Sequence, residues 1–174
     1  MGFSTLPQAL EMGKLTLILA ACAIVLAPAV VQGCPFPFEV IGNQCLLFDT
    51  LESGSYYDMR LYCSRQAEGA TLAKILTASQ LAELINYILK YGLDHSSYWI
   101  DASDDDAEGY WRWTDGGSVP MGAPYWRYDC DEALTLRPLN DKTLNCAVLD
   151  LESHFLIADV SCLGNYNPIC EVPL

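Results

Sequence analysis

Acidic side chains between Trp99 and Gly109 form the segment of this sequence whose residue types could do chemistry. Oxygen ligands of this kind suit calcium, and repulsion among neighbouring carboxylates falls when they share a bound cation. The spacing differs from the Asp-x-Asp-x-Asp-Gly order of an EF-hand loop. The alternative is an acidic turn in solvent, which needs no ion. The five carboxylates are those of Asp101, Asp104, Asp105, Asp106 and Glu108.

Catalytic arrangements are not recognisable in the sequence. It contains no Gly-x-Ser-x-Gly elbow, no phosphate-binding glycine loop and no His-Glu-x-x-His helix. Asp115 and Asp159 could form a glycosidase pair, but in a chain with 22 acidic residues such a pair arises by chance. His95 lies in a polar turn typical of exposed residues. We expect this protein not to be an enzyme.

The cysteines favour disulfides over a zinc site. The chain has 8 cysteines, of which Cys22 lies in the apolar segment near the N terminus. No Cys-x-x-Cys pair occurs, and His95 and His154 are not spaced as zinc ligands. Spaced cysteines in a secreted chain usually pair with one another, but their spacing does not give the connectivity.

Residues 1–33 have the pattern of a secretory signal peptide. Lys14 precedes an apolar run from Leu15 to Val31, which ends in small residues before Gly33. A membrane anchor is the weaker alternative, because Pro28 interrupts the run and a spanning helix needs roughly 20 apolar residues. We therefore expect a secreted, extracellular protein with no membrane association once the leader is removed.

The expected mature part, residues 34–174, is strongly acidic. It holds 8 Lys and Arg against 21 Asp and Glu, since only Glu11 and Lys14 are charged in the leader. Nucleic acids and anionic membranes select basic surfaces. We expect neither as a partner, and sulfated sugars are poor candidates for the same reason.

Hydrophobic periodicity predicts two helices followed by short strands. Residues 55–66 form the first helix, with Ser53 or Ser55 as its cap, and the second runs from a cap at Thr77 or Ser79 to Gly92. A hairpin precedes them, at 39–41 and 44–48, and a short strand-like run lies at 71–75. Further strands are predicted at 99–102, 111–114, 147–151 and 168–172. This order is typical of an α+β domain.

The tryptophans divide into two groups. Trp99, Trp111 and Trp113 lie in the predicted strands, so we expect them in the core. Trp126 lies in a connection between Asp115 and Asn145 that is rich in Pro, Gly and charge. A connection of that length is usually functional or disordered. Trp126 is therefore either the core of a loop or an exposed contact for a ligand.

Taken together, these elements resemble a C-type lectin-like domain over residues 34–174. The resemblance implies two helices, antiparallel sheets, a long loop region and stabilising disulfides. It also implies the pairs Cys34–Cys45, Cys63–Cys170 and Cys146–Cys162. The motifs that carry it are Trp99-Ile100, Glu108-Gly109, Trp113-Thr114-Asp115-Gly116, Asn145-Cys146 and Ile169-Cys170-Glu171.

The principal calcium site of this family holds the ion and the sugar together, and most of its ligands are missing here. Arg137 and Leu139 flank Pro138 where acidic or amide side chains are expected. Leu144 and Ala158 replace two further ligands, so that Asp159 alone is clearly kept; shifting the loop by one residue recovers Asn140. An arginine beside a dication adds Coulomb repulsion. We expect no calcium at this position.

An auxiliary calcium site of the family is better preserved. It uses an Asp and a Glu four residues apart, which Asp104 and Glu108 match, and Asn145 could add an amide oxygen. Calcium is therefore a possible cofactor at this second position.

The resemblance implies binding of carbohydrate or molecular patterns in innate defence, through the loops at residues 115–160. The missing ligands predict sugar binding that is weak or independent of calcium. The alternative is a lectin-like scaffold whose loops bind a protein partner and no sugar. Candidate residues for contact with the glycan or the protein ligand are Trp126, Arg137, Asn140, Asn145 and Asp159.

Cys130 is left over once the three implied disulfides are assigned. Three alternatives stay open for it: a buried unpaired thiol, a disulfide-linked homodimer, or a bond to another partner. A dimer would set two recognition surfaces side by side and raise avidity for a repetitive target.

Overall fold

A computed structural model describes residues 1–2, 33–129 and 135–174. The predicted leader therefore lies almost wholly outside the described residues, and Cys130 lies outside them as well. Among the helices of the described part, none is long and apolar enough to cross a membrane.

Both predicted helices are confirmed, and their end signals lie at the expected residues. Helix α1 (Tyr56–Ser64) is capped by Ser55, whose side chain accepts a hydrogen bond from the Asp58 amide. Helix α2 (Ala78–Tyr91) begins at a capping box formed by Thr77 and Gln80. It ends at Gly92, which has the left-handed backbone, with φ of +66°, that glycine adopts without strain.

The strands form one large sheet and one small hairpin. The large sheet has the order β1-β2-β10-β4-β8-β9, with β3 on β10 and β5 on β4, and β6 pairs only with β7. The strands are β1 (Glu39–Ile41), β2 (Gln44–Phe48), β3 (Thr71–Leu72), β4 (Tyr98–Ser103), β5 (Arg112–Trp113), β6 (Tyr128–Asp129), β7 (Thr135–Leu136), β8 (Cys146–Asp150), β9 (Leu156–Val160) and β10 (Asn167–Val172).

The sheet differs from the prediction in two respects. Strands β4 and β10 run parallel, so that the sheet is mixed where only antiparallel pairing was expected. Strand β9, which pairs with β8 over five residues, was not predicted. The turn between β8 and β9 contains His154 and Phe155 at positive φ, 57° and 66°, in place of the glycine or asparagine that usually indicates such a turn.

The core lies on both faces of β4. Tyr98, Ile100 and Ala102 belong to one buried cluster, which includes residues of α2, and Trp99 belongs to the cluster that includes residues of α1. This division follows from the alternation of side chains along a strand. Trp111 and Trp113 are also buried, as predicted. The three implied disulfides are present, namely Cys34–Cys45, Cys63–Cys170 and Cys146–Cys162.

Candidate functional site

The long connection after β5 packs around Trp126 and is attached to β9. The Trp126 ring is 3% exposed and meets Trp111 edge to face, with 4.9 Å between ring centroids. Its Nε1 donates a hydrogen bond to the Pro120 carbonyl at 2.9 Å. The backbone of Ile157 pairs with residues on either side of Trp126. Of the two alternatives for Trp126, the structure shows the loop core.

Two arginines and three aspartates form an alternating chain of ion pairs across this loop. Arg137 bonds to Asp129 at 2.9 Å and to Asp159 at 3.1 Å. Arg127 bonds to Asp129 at 2.6 Å and to Asp150 at 2.7 Å. Hydrogen bonds from Arg127, and then from Arg137, lower the pKa of Asp129. We call these five residues the arginine–aspartate chain. It joins the β6–β7 hairpin to β8 and β9.

The arginine–aspartate chain occupies the position where the resemblance places the principal calcium. One Asp159 oxygen accepts from the Arg137 guanidinium, and the other accepts from the Leu139 amide at 2.8 Å. Both oxygens of the one retained acid are therefore already bonded within the protein. Leu139, Leu144 and Ala158 offer no side-chain oxygen. The residues at this position do not fit calcium, because a guanidinium already supplies the positive charge.

The auxiliary position lies in a tight turn at residues 104–109. The Asp104 amide donates to the Asn145 carbonyl at 3.2 Å, which holds the turn against β8. The Gly109 amide donates to Oδ2 of Asp104 at 2.8 Å. Gly109 has φ of +79°, and a Cβ atom there would lie 3.7 Å from Oδ1 of Asn140. The turn therefore gathers one carboxylate and two amide side chains from three parts of the chain.

Three oxygens at this turn are buried without a hydrogen-bond donor. They are Oδ1 of Asp104, Oε1 of Glu108 and Oδ1 of Asn145, and they are three of only seven such side-chain atoms in the described residues. Each unsatisfied buried group costs on the order of 1–3 kcal/mol. Burial, with smaller contributions from Asp159 and Asp105, raises the pKa of Asp104.

The donor types at this turn are those that calcium accepts. The described residues contain no group of three or more His, Cys, Asp and Glu side chains that could hold a metal. That group of residue types leaves out amide side chains, which here add to two carboxylates. Calcium accepts carboxylate and amide oxygens together, typically six to eight in all. The oxygens of Asp104, Glu108 and Asn145 would be its ligands, with Asn140 beside them.

A cavity of about 530 Å³ opens beside the arginine–aspartate chain. Its lining is mainly apolar and aromatic, with a few polar groups. The lining residues that matter for binding are Trp111, Trp126, Tyr128, Leu136, Arg137 and Asn140. We call it the loop cavity. Tyr128 and Leu136 are 52% and 72% exposed at its edge.

The structure separates the five predicted contact residues into three groups. Trp126, Arg137 and Asn140 line the loop cavity. Asp159 is 3% exposed and does not line the cavity, but it bonds to Arg137 and to the Leu139 amide, which do. Asn145 belongs to the auxiliary turn, as does the predicted pair of Asp104 and Glu108.

Sequence reasoning did not find Arg127, Asp129 and Asp150 as part of the site. Asp129 and Asp150 are isolated acids in a chain with many acids, and no motif marks them. The one available signal was the Arg-x-Asp spacing of Arg127 and Asp129, which are bonded in the structure.

Comparison with known proteins gives consistent relatives. Two human proteins, C-type lectin domain family 4 members D and E, are 25% and 28% identical over 141 residues. These alignments cover 80% of this chain but 59% and 58% of the relatives, so the chain spans little more than half of their length. A mouse scavenger receptor C-type lectin carbohydrate-recognition domain superposes with a TM-score of 0.58 at 25% identity. That match covers 79% of this chain and 94% of the other.

The family model agrees with these relatives. The model of the Lectin C-type domain matches residues 52–172, which include both helices, the auxiliary turn, the loop cavity and two of the three disulfides. This chain therefore belongs to the C-type lectin domain family.

Proposed function

We propose that this protein binds carbohydrate in the loop cavity without coordinating the sugar through calcium. The observation that carries the proposal is the placement of Arg137. Its guanidinium lies between Asp129 and Asp159, at the position of the family's sugar-bound ion, and its side chain also lines the cavity. Any sugar held there must be recognised by protein groups alone.

The lining of the loop cavity suits a sugar ring. Aromatic rings such as that of Tyr128 offer an apolar face to the C–H groups of a sugar. Asn140 supplies an amide donor and an acceptor for hydroxyl groups. A volume of about 530 Å³ falls within the usual range of small-molecule sites, roughly 300–1,000 Å³. Without a metal, we expect modest affinity for each sugar.

We further infer that the auxiliary turn binds one calcium ion in a supporting role. The ion would supply positive charge to the three buried oxygens of Asp104, Glu108 and Asn145 that have no hydrogen-bond donor. Asp104 and Asn145 are already joined through their backbones, so binding would fix the turn against β8. It would contribute to stability and not to direct contact with sugar.

The proposed setting is extracellular recognition, as in innate defence. The three disulfides support an oxidising compartment, because such bonds are rare in the cytosol. Relatives that are C-type lectins support recognition, and not catalysis, as the activity. Secretion itself is tested by expressing residues 1–174 in animal cells and sequencing the N terminus of protein recovered from the medium.

Glycan-array binding of residues 34–174 tests the proposal, in calcium and in chelator. We expect the same glycans to bind in both buffers, with affinities within about fivefold, which corresponds to ~1 kcal/mol. Tyr128→Ala is expected to remove the binding that the loop cavity provides. The matched control is Tyr91→Ala, since Tyr91 is 54% exposed on α2 and distant in sequence from the loop.

Two outcomes would contradict the proposal. One is binding that chelator abolishes and calcium restores while the protein stays folded, which would place a calcium ion in the sugar site. The other is an array on which no glycan binds the wild-type domain.

A further inference from the structure

A second, polar cleft lies between α1 and the segment that carries the auxiliary turn. Its volume is about 260 Å³, and it shares no lining residue with the loop cavity. Residues 109–112 contribute to the two spaces in turn. Gly109 and Trp111 line the loop cavity, whereas Tyr110 and Arg112 line the polar cleft. We call it the α1 cleft.

The charges of the α1 cleft are balanced in a strongly acidic protein. Arg60, from α1, lines the cleft together with Arg112, Asp105 and Asp106, which come from the opposite segment. None of the ion pairs among the described residues includes either arginine. The whole chain has a net charge of −13, so two guanidiniums in one cleft are a local exception. A neutral ligand rich in hydroxyl groups can use donors and acceptors of both kinds, whereas an ion of either sign would meet like charge among these side chains.

Two charged groups of the cleft, those of Asp105 and Arg112, are held in place before any ligand binds. Asp105 accepts hydrogen bonds from the Tyr57 hydroxyl and, at 3.2 Å, from the Asn145 side-chain amide. Nη1 of Arg112 donates to the Gly116 carbonyl at 3.1 Å. Groups that are already fixed lose less conformational entropy on binding. Asn145 does not line the cleft, but it also has one of the donorless oxygens at the auxiliary position, so it links the two places through its bond to Asp105.

Two tyrosine rings stand at the cleft with much of their surface in solvent. Tyr57 is 46% exposed and Tyr110 is 68% exposed, and both line the cleft. Such rings combine an apolar face with a hydroxyl group. A neighbouring cavity of about 460 Å³ shares Tyr57, Arg60 and Thr114 with the cleft, so that the two spaces adjoin.

We propose that the α1 cleft is a second saccharide site, which binds an uncharged oligosaccharide without a metal ion. The tyrosine rings contact the C–H faces of the sugar, while arginine and aspartate side chains bond to its hydroxyl groups. The adjoining cavity accepts a further sugar residue. This site lies apart from the loop cavity and does not depend on sugar binding there.

The test measures binding of neutral mannose-, glucose-, galactose- and N-acetylglucosamine-terminated oligosaccharides to residues 34–174 by protein-observed NMR. We expect shifts at residues 57–60, 103–107 and 112–114 and at Tyr110 that saturate separately from those at the loop cavity. Tyr110→Ala and Arg112→Met are each expected to weaken this set by about tenfold or more. Tyr128→Ala is expected to leave it unchanged, and Tyr91→Ala to leave both sets unchanged.

The outcomes separate this site from the proposed function. If neither Tyr110→Ala nor Arg112→Met weakens the binding of any probe while Tyr128→Ala abolishes it, the α1 cleft is not a saccharide site and the proposal for the loop cavity is supported. If Tyr110→Ala and Arg112→Met abolish binding that Tyr128→Ala leaves intact, the sugar binds in the α1 cleft and the proposal for the loop cavity is wrong. Preference for sialylated or sulfated probes at the cleft would overturn the inference of a neutral ligand. Each variant is compared with wild type by melting temperature, so that loss of fold is recognised.

Discussion

Two neighbouring positions in this domain meet the need for a cation in opposite ways. In the arginine–aspartate chain, Arg137 and Arg127 supply positive charge from the polypeptide, and every carboxylate of the chain has a bonded partner. In the auxiliary turn, Asp104, Glu108 and Asn145 each keep a buried oxygen without a donor. The first position is complete as folded, whereas we propose that an ion completes the second. On this proposal the loop region binds no calcium at the first position and one calcium ion at the second.

The largest effect is expected from Arg137→Met. The substitution leaves Asp159, which is 3% exposed, without its guanidinium partner and removes one of the two arginines bonded to Asp129. Breaking a mostly buried pair by removing one partner costs about 3 kcal/mol. Urea denaturation measures this loss. Arg65→Met, at an exposed residue after α1, is the control and is expected to change stability by less than about 0.5 kcal/mol. If Arg137→Met loses less than about 0.5 kcal/mol of stability, as expected for Arg65→Met, then the arginine–aspartate chain does not hold the loop in place.

Calcium is expected to have the next largest effect. At a free concentration about 100 times its dissociation constant, one bound ion stabilises the fold by ~2.7 kcal/mol. The melting temperature should rise by several degrees in calcium and not in magnesium of equal ionic strength. Asp104→Asn and Glu108→Gln are expected to remove the rise. Asp106→Asn, in the same turn but with no buried donorless oxygen, is expected to keep it. A rise that survives in Asp104→Asn would place the ion elsewhere.

Dependence on pH distinguishes the two positions in the absence of calcium. The folded pKa of Asp104 is raised, so its charged form destabilises the fold, and acidification through that pKa adds stability. The folded pKa of Asp129 is lowered, so its contribution is present above its unfolded pKa and is lost as the pH falls through the folded value. In chelator, Asp104→Asn is therefore expected to stabilise the protein at pH 7, and this gain is expected to disappear as the pH falls below the unfolded pKa. Denaturation across this pH range measures the difference, and a destabilised Asp104→Asn at pH 7 in chelator would contradict it.

The smallest expected effect concerns Gly109, which lies between the two positions. An alanine there must keep φ of +79°, although its Cβ would meet nothing closer than 3.7 Å. We expect Gly109→Ala to cost about 1 kcal/mol through backbone strain alone. The matched control is Gly92→Ala, where φ is +66° and a Cβ would meet nothing within 4 Å, so backbone strain alone is expected to cost a similar amount. Calcium titration of Gly109→Ala then shows whether the turn still assembles, and a loss well above 3 kcal/mol would indicate a packing role that the structure does not show.

Local signals were enough to predict most of the fold. The cap at Thr77, the glycine at position 92 and the alternating strand residues each act through neighbours in sequence, and the helices and most strands follow them. Strand β9 was missed because the turn before it has His154 and Phe155 at positive φ. Neither is a glycine or an asparagine, the residue types that predict such a turn. The parallel pairing of β4 with β10 joins segments about 70 residues apart, and no local pattern encodes it.

The site was harder to predict, because its charges interact across the fold. The sequence showed Arg137 as a departure from the family's ligands, but not that Asp129 and Asp159 would bond to it. The burial of the Asp104, Glu108 and Asn145 oxygens likewise depends on how the turn packs against β8. Cys130 lies outside the described residues, and its three alternatives stay predictions. Electrophoresis with and without reductant, on wild type and Cys130→Ser, would test a disulfide-linked dimer.

Calorimetric titration of calcium into metal-free residues 34–174 tests the central claim most directly. We predict one calcium ion per domain in the wild type and in Asp159→Asn, and none in the double variant Asp104→Asn, Glu108→Gln. Melting temperatures in chelator establish that each variant is folded. Two ions per domain, or one ion that is lost in Asp159→Asn and retained in the double variant, would show that calcium occupies the position assigned here to the Arg137 guanidinium.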